Sequence, residues 1–144
     1  MSDAANAMRD FNQRVMAEFR ANAGVVGGPF AGAPMLILHS RGAKSGAMRE
    51  LPLVYQPRGA DAWVIFASKA GSPTNPDWYH NLVAHPADAR IEVGSETVSV
   101  DVRVLKGAER EEVWAAQKAA SAAFAQYEAK TTRTIPVVLL SRRS

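Results

Sequence analysis

Six apolar segments of strand length, separated by short polar turns, most restrict how this chain of 144 residues can fold. Each segment alternates apolar with polar residues or is continuously apolar, and both patterns are typical of β-strands. The segments cover residues 35–40, 48–56, 62–68, 89–93, 97–105 and 135–140. Most connections are short, and only three helical segments interrupt or precede the strands. We therefore predict a mainly β (α+β) fold, a small and mostly antiparallel barrel, in one domain covering 1–144.

Turn residues and one proline refine this prediction. Residues 57–61 (Pro-Arg-Gly-Ala-Asp) predict a hairpin between the second and third strands, and residues 94–96 (Gly-Ser-Glu) predict another. Pro52 lies inside the second segment and cannot donate a hydrogen bond to a β-ladder. We therefore expect this segment at an edge or a bulge, where the sheet opens toward a ligand.

The N-terminal residues 1–21 contain a predicted amphipathic helix from Ala4 to Ala21. Its apolar stripe consists of Met8, Phe11, Val15 and Phe19. The stripe is narrow and the polar faces carry acids as well as bases, so we expect the helix to dock on its own domain. A weak contact with a membrane surface or a partner is the alternative.

Two further helices are predicted. Asn75 is the expected N-cap of the first, Pro76 its first helical residue and Trp78 a member of its buried face. The other helix is expected to run without interruption from about Ala108 to Tyr127, opening with three glutamates that favour the positive end of the helix dipole.

Two short loops combine glycines, hydroxyl groups and cations. The first is Gly42-Ala43-Lys44-Ser45-Gly46, followed by Arg49, and the second is Ser68-Lys69-Ala70-Gly71. Glycines let backbone N–H groups approach a ligand closely, and the cations match phosphate or carboxylate oxygens. We interpret the loops as the anionic end of a cofactor site, with a simply solvated hairpin as the alternative. The first loop lacks the spaced glycine and the following helix of a P-loop.

Composition excludes several kinds of chemistry. The chain has no cysteine, so redox activity would need a bound cofactor. A net charge of +3 suits an anionic small molecule better than a nucleic acid. His80 and His85 lie on different faces of a helix, so no metal site is expected. No apolar run reaches the roughly 20 residues that span a bilayer, and the N-terminus is too polar for a signal peptide. We expect a cytoplasmic protein, with peripheral contact at the inner membrane surface left open.

Six motifs follow one another along the chain. They are Phe30-x-Gly32-x-Pro34, Leu36-Ile37-Leu38-His39-Ser40-Arg41-Gly42-Ala43-Lys44-Ser45-Gly46, Arg49-Glu50-Leu51-Pro52-Leu53, Ala67-Ser68-Lys69-Ala70-Gly71, Asn75-Pro76-Asp77-Trp78-Tyr79-His80-Asn81-Leu82 and Thr132-Arg133-Thr134-Ile135-Pro136-Val137. In this order the chain resembles the deazaflavin (F420)-dependent nitroreductase and quinone reductase family, from about Phe11 to Leu140. The resemblance implies a split β-barrel similar to FMN-binding barrels, and an oxidoreductase that uses the reduced 8-hydroxy-5-deazaflavin coenzyme F420.

The resemblance also implies which residues form the site. The phosphate and oligoglutamate tail of F420 would lie at Lys44, Ser45 and Arg49. The remaining coenzyme contacts would be Ala43, Glu50, Leu51, Pro52, Leu53, Val54, Phe66, Ala67, Ser68, Lys69, Asn75, Pro76, Asp77, Trp78 and Tyr79. On the acceptor side stand Ser121, Phe124 and Tyr127. Ser68 is the expected catalytic hydrogen-bond donor, and Tyr127 is either a second donor or an aromatic wall.

Several alternatives stay open at this point. The barrel could bind FMN instead of F420, carry a flavin or deazaflavin without turnover, or act as a non-enzymatic barrel that binds nucleic acid. Family members commonly have an arginine before the loop lysine, where this chain has Ala43, and Arg41 is a candidate replacement. The expected acceptor is a quinone, an activated enone or a nitroaromatic compound.

Overall fold

The computed structural model describes residues 3–143, and its strands form one antiparallel sheet in the order β2-β1-β5-β6-β7-β4-β3. The strands are β1 (Met35–Arg41), β2 (Met48–Val54), β3 (Gln56–Pro57), β4 (Ala62–Phe66), β5 (Arg90–Val93), β6 (Glu96–Val104) and β7 (Val137–Arg142). The helices are α1 (Asp3–Ala21), α2 (Asp77–Ala84), α3 (Gly107–Ala120) and α4 (Ala122–Lys130).

The sheet curls into a split barrel because its two end strands are halves of one chain segment. β2 pairs with β1, whereas β3 pairs with β4 at the opposite end of the strand order. Only Tyr55 separates the two strands. The predicted antiparallel barrel is confirmed, and the predicted second strand is divided in two. Pro52 lies on β2, which is an end strand of the sheet as expected.

The barrel interior is filled by alternate residues of the strands and closed by α2. Trp78 and Leu82 of α2 pack in one cluster with Leu38 of β1 and Ile91 of β5. The burial of each large apolar side chain contributes about 1.5 to 3 kcal/mol to folding. This packing fixes α2 across one end of the barrel.

Helix α1 docks on the outer face of β1 through its C-terminal half, as predicted. Val15, Met16 and Phe19 form a buried cluster with Met35 and Ile37. One member of the predicted stripe is wrong, because Met8 is 60% exposed. No helix of residues 3–143 is both long and apolar enough to cross a membrane.

Two helix predictions are wrong in detail. Asn75 is not the N-cap of α2: Pro76 takes that position, and the Asn75 Oδ1 atom instead accepts a hydrogen bond from Arg133. The predicted helix over 108–127 is two helices, because Ser121 adopts an extended backbone with φ −145° and ψ 111°. An alanine-rich sequence favours helix on both sides of this position, so propensity alone does not reveal the break.

Candidate functional site

A cavity of about 590 Å³ lies at one end of the barrel, between the β1–β2 turn, the start of β2 and helix α2. Its volume is within the range of ordinary small-molecule sites. The lining residues are Ser40, Gly42, Ala43, Lys44, Ser45, Arg49, Glu50, Leu51, Asp77, Trp78, His80 and Asn81. The structure therefore brings the glycine-containing basic loop and the start of α2 together, as the motifs predict.

The β1–β2 turn has a tightly determined backbone. The Gly42 N–H donates to the Ala47 carbonyl at 2.8 Å, and the Gly46 N–H donates to the Gly42 carbonyl at 3.0 Å. The Ala47 N–H donates to Ser45 Oγ, which lies above Gly42. A Cβ atom on Gly42 would meet this oxygen at 2.5 Å, so a larger residue at position 42 would displace the Ser45 side chain. Gly46 has φ +73°, which also favours glycine.

Two side chains outside the turn hold it in place. The Oδ1 atom of Asn81 on α2 accepts the Ala43 N–H at 2.9 Å. Arg41 donates to the Gly46 carbonyl at 2.7 Å and pairs with Asp88 at 2.9 Å. Arg41 is not among the lining residues. Arg41 therefore supports the turn through these bonds and adds no charge to the cavity lining.

The cavity is lined by two cationic side chains that form no ion pair or hydrogen bond with the rest of residues 3–143. These are Lys44 and Arg49, both exposed. Two acids also line the cavity. The Glu50 carboxylate is paired with Arg20 of α1 at 2.6 Å, and Asp77 lies in the first turn of α2, where the helix dipole favours an acid. The positive charge of Lys44 and Arg49 is therefore left available to an anion.

Strand pairing divides the predicted β2 residues between two faces of the sheet. Arg49 lies opposite Ser40 and Leu51 opposite Leu38, so these residues share the face that meets the cavity and the barrel interior. Leu53 packs on the interior cluster, whereas Val54 packs on the cluster beneath α1. Because side chains alternate along a strand, Pro52 lies on the α1 face together with Val54.

The second predicted loop does not line this cavity. Phe66, Ala67 and Ser68 are buried, and Lys69 is exposed with its Nζ atom 3.4 Å from Thr74 Oγ1. Lys69 adopts a left-handed backbone with φ +46°. Of the helix α2 segment, Asp77 and Trp78 line the cavity, whereas Asn75, Pro76 and Tyr79 are not among the lining residues.

The three predicted acceptor-side residues lie at the break between α3 and α4 and on α4. Phe124 packs edge-on against Phe66, with ring centroids 5.5 Å apart, and Tyr127 packs on Phe124 at 5.4 Å. Ser121 is the residue at the helix break. None of the three lines the cavity, but Tyr127 reaches the second loop, because its backbone packs directly on Gly71.

Sequence reasoning gave no site role to three lining residues, Ser40, His80 and Asn81, or to Arg133, which binds Asn75. Ser40 could have been found because period-two alternation puts it on the same strand face as Leu38. Asn81 could have been found because it lies three residues after Trp78 and four after Asp77, on one helix face. Within residues 3–143, no group of three or more histidine, aspartate or glutamate side chains is arranged to hold a metal ion.

The fold and the cavity define a split-barrel protein with a site suited to an anionic cofactor. A model of the F420H(2)-dependent quinone reductase family matches residues 11–142, and the chain belongs to this family. The resemblance read from the six motifs is thereby confirmed. The chain is an oxidoreductase, and its cofactor is F420.

Individual proteins are similar to this chain over most of its length. A Mycobacterium tuberculosis (strain H37Rv) protein described as an F420H(2)-dependent quinone reductase is 38% identical over 129 residues, covering 87% of this chain and 85% of that protein. A solved F420-H2 dependent reductase is 34% identical, with a TM-score of 0.67 over 75% of this chain and 94% of that one. A structure described as a domain-swapped dimer is 30% identical, with a TM-score of 0.69 over 96% of this chain and 100% of that one.

The residues present fit the anionic part of F420. A phosphate and a row of carboxylates need several cations and donors along one groove, and the cavity presents Lys44, Arg49 and the Ser45 hydroxyl with no competing acid paired to them in the described part of the chain. The apolar part of a deazaflavin needs a different surface, which Leu51 and Trp78 begin at the cavity floor.

Proposed function

We propose that this chain binds reduced F420 with the phosphate and oligoglutamate tail in the cavity beside α2, and reduces a quinone with it. The pair of unpartnered cations, Lys44 and Arg49, is the observation that carries the proposal. A charge-assisted contact contributes about 1.5 to 3 kcal/mol, so two of them supply a large part of micromolar affinity. The rigid turn presents Ser45 and these charges without further ordering on binding.

The deazaflavin end would continue along the interior face of the barrel. Leu51 and Leu53 extend this face from the cavity, and Trp78 lies across from them on α2. We assign the remaining contacts to the predicted segments Phe66–Lys69 and Asn75–Tyr79. Bound F420H2 supplies a hydride donor, and the protein contributes orientation and the stabilisation of charge.

On the acceptor side, Ser68 is the proposed hydrogen-bond donor. Its residue is 9% exposed, and Arg133 occupies its carbonyl oxygen at 2.8 Å, so the backbone is fixed while the hydroxyl group has no hydrogen-bond partner among residues 3–143. A donor held in this way stabilises negative charge as it develops on a quinone oxygen. Tyr127 forms part of the acceptor wall with Phe124 and Ser121.

The proposal is tested by equilibrium binding of oxidised F420 and of FMN to the purified protein, followed by reduction of a panel of quinones, enones and nitroaromatics with F420H2. We expect F420 to bind at least tenfold more tightly than FMN, and quinones to be reduced fastest. Tight FMN binding without F420 binding would overturn the proposal. F420 binding without reduction of any acceptor would favour a carrier.

The cellular location of the protein is also a proposal. We retain the cytoplasmic location expected from the sequence, with α1 as the element that would contact an inner membrane surface. The exposed Met8 on α1 supports such a contact. Sedimentation with anionic vesicles, compared between the wild type and Met8→Gln, tests it, and equal sedimentation of the two proteins would count against it.

A further inference from the structure

Arg133 lies in the linker between α4 and β7, and its guanidinium group binds one chain segment at four points. The Nε atom donates to the Ser72 carbonyl at 2.9 Å, and one terminal nitrogen donates to the Ser68 carbonyl at 2.8 Å. The other terminal nitrogen donates to the Ala67 carbonyl at 3.1 Å and to Asn75 Oδ1 at 2.7 Å. All four acceptors belong to residues 67–75.

This arrangement is not an ordinary ion pair. None of the four acceptors carries a formal charge, and no carboxylate pairs with Arg133 within the described ranges of the chain. Burial lowers the pKa of Arg133, which nevertheless stays protonated at neutral pH. The half-buried guanidinium group of Arg133 therefore acts as a hydrogen-bond donor to backbone carbonyls. The planar, forked set of N–H groups in arginine suits this role, whereas the single ammonium group of lysine does not.

The segment bound by Arg133 needs external support. It contains a short helical turn, Lys69–Gly71, in which Lys69 has φ +46° and Gly71 has φ +79°. Two backbone hydrogen bonds close the turn, from the Gly71 N–H to the Ser68 carbonyl and from the Ser72 N–H to the Lys69 carbonyl. Left-handed backbone at a non-glycine residue is strained and persists only where its surroundings fix it.

The same segment connects the two proposed groups of deazaflavin contacts. It begins directly after Phe66 of β4 and ends one residue before α2, which carries Trp78. It also packs on α4, because Gly71 contacts the Tyr127 backbone. One arginine therefore binds the segment that joins β4 to α2 and that packs on α4.

We propose that Arg133 is the positioning residue that presets residues 67–75 for the deazaflavin end of F420, independently of the tail site at Lys44 and Arg49. This inference rests on the proposed function. It goes beyond it by assigning a role to a residue that is neither a proposed cofactor contact nor a proposed acceptor contact.

Two probes distinguish binding of the deazaflavin ring from binding of the tail. They are oxidised F420, and a deazaflavin with the same ring but without the phosphate and tail. Arg133→Lys keeps the positive charge but removes the planar set of N–H donors of the guanidinium group. We expect it to weaken the binding of both probes by the same factor, about tenfold. Lys44→Ala should weaken F420 alone. Arg110→Lys is the matched control, because Arg110 donates to the Ile135 carbonyl at 2.7 Å, two residues from Arg133, and has no hydrogen bond to residues 67–75.

A second readout needs no cofactor. Hydrogen exchange of the Gly71 and Ser72 amides in the cofactor-free protein should be faster in Arg133→Lys than in the wild type, and unchanged in Arg110→Lys. Asn75→Ala, which removes one acceptor and leaves three, should change both readouts in the same direction by a smaller factor. It also keeps the inference testable if Arg133→Lys does not fold.

The outcomes distinguish the two proposals. Failure of the wild-type protein to bind F420 would overturn the proposed function. Wild-type binding with unchanged affinities and amide exchange in both Arg133→Lys and Asn75→Ala would overturn the inference alone. A loss confined to the tailed probe in Arg133→Lys would also overturn it, because Arg133 would then act on the tail.

Discussion

Arg20 on α1 binds both carboxylate oxygens of Glu92 on β5, with Nε 3.0 Å from Oε1 and a terminal nitrogen 2.6 Å from Oε2. The same terminal nitrogen lies 2.6 Å from Glu50, an acid at the rim of the cavity, and His39 lies 2.7 Å from Glu92. This network joins α1 to three strands. It also neutralises Glu50, one of the two acids that line the cavity.

The first prediction concerns stability in acid. Hydrogen bonding and charge from Arg20, with His39, lower the pKa of Glu92 from 4.5 to about 2. A carboxyl group with a lowered folded-state pKa stabilises the fold above its unfolded pKa and loses this contribution as the pH falls from about 4.5 toward 2. The shift corresponds to about 3 kcal/mol, reduced to about 1 to 2 kcal/mol because Arg20 is 42% exposed.

Urea unfolding at pH 6 and pH 3 measures this contribution. Glu92→Gln should be less stable than the wild type at pH 6, and the difference should shrink at pH 3. Glu96→Gln changes an exposed acid of the same hairpin and serves as the control. An equal difference between wild type and Glu92→Gln at both pH values would contradict the assignment.

Local sequence patterns predicted much of the fold and one part of the site. The cavity between the turn and α2 was foreseeable because its signals are short-range. They are the glycines at 42 and 46, the period-two strands around them and the helix start at Pro76-Asp77. Asn81, Arg133 and the pairing of Arg20 with Glu50 are contacts between residues 30 to 66 positions apart in sequence. Such contacts depend on how the elements pack, which no local pattern encodes.

The break at Ser121 shows the same limit for secondary structure. The alanine-rich sequence around it favours helix throughout, and tertiary packing of α4 against Gly71 accompanies the extended residue. Propensity gave the correct element type on each side but not the boundary, because its differences of a few tenths of a kcal/mol are smaller than the packing of one aromatic ring.

The second prediction concerns the two free cations of the cavity. Lys44→Ala and Arg49→Ala should each weaken F420 binding about ten- to a hundredfold, since each removes one charge-assisted contact. Wild-type affinity should also fall as salt is raised. Lys106→Ala, which removes the same charge at an exposed position outside the cavity, is the control. Fluorescence titration at low salt measures the affinities, and unchanged values in both cavity variants would remove the tail assignment.

The third prediction concerns the tether between α2 and the turn. Asn81→Ala removes the acceptor of the Ala43 N–H and should weaken F420 binding about three- to tenfold, because the turn must then be ordered on binding. His80→Ala removes a lining side chain one residue earlier that has no hydrogen bond to the turn, and it provides a comparison. The two variants are titrated as above. An equal effect of both would mean that Asn81 acts only as part of the cavity wall.

The fourth prediction concerns Ser68 as donor to the acceptor. Ser68→Ala should lower the rate of quinone reduction about ten- to a hundredfold with little change in F420 affinity, because the contact strengthens mainly in the transition state. Single-turnover oxidation of F420H2 gives the rate, and titration gives the affinity. Thr74→Ala, a hydroxyl deletion in the same segment, is the control. Wild-type rates in Ser68→Ala with every acceptor would end its catalytic assignment.

The last prediction separates the ring of Tyr127 from its hydroxyl group. The ring packs edge-on against Phe124, with centroids 5.4 Å apart, and the Tyr127 backbone contacts Gly71, so the residue packs at the contact between α4 and the second loop. Tyr127→Phe keeps this packing and should reduce quinones within about twofold of the wild-type rate, whereas Tyr127→Ala should be slower by about tenfold or more because the wall is lost. Single-turnover rates across several acceptors measure both variants. A loss in Tyr127→Phe that depends on the acceptor would instead identify the hydroxyl group as a second hydrogen-bond donor.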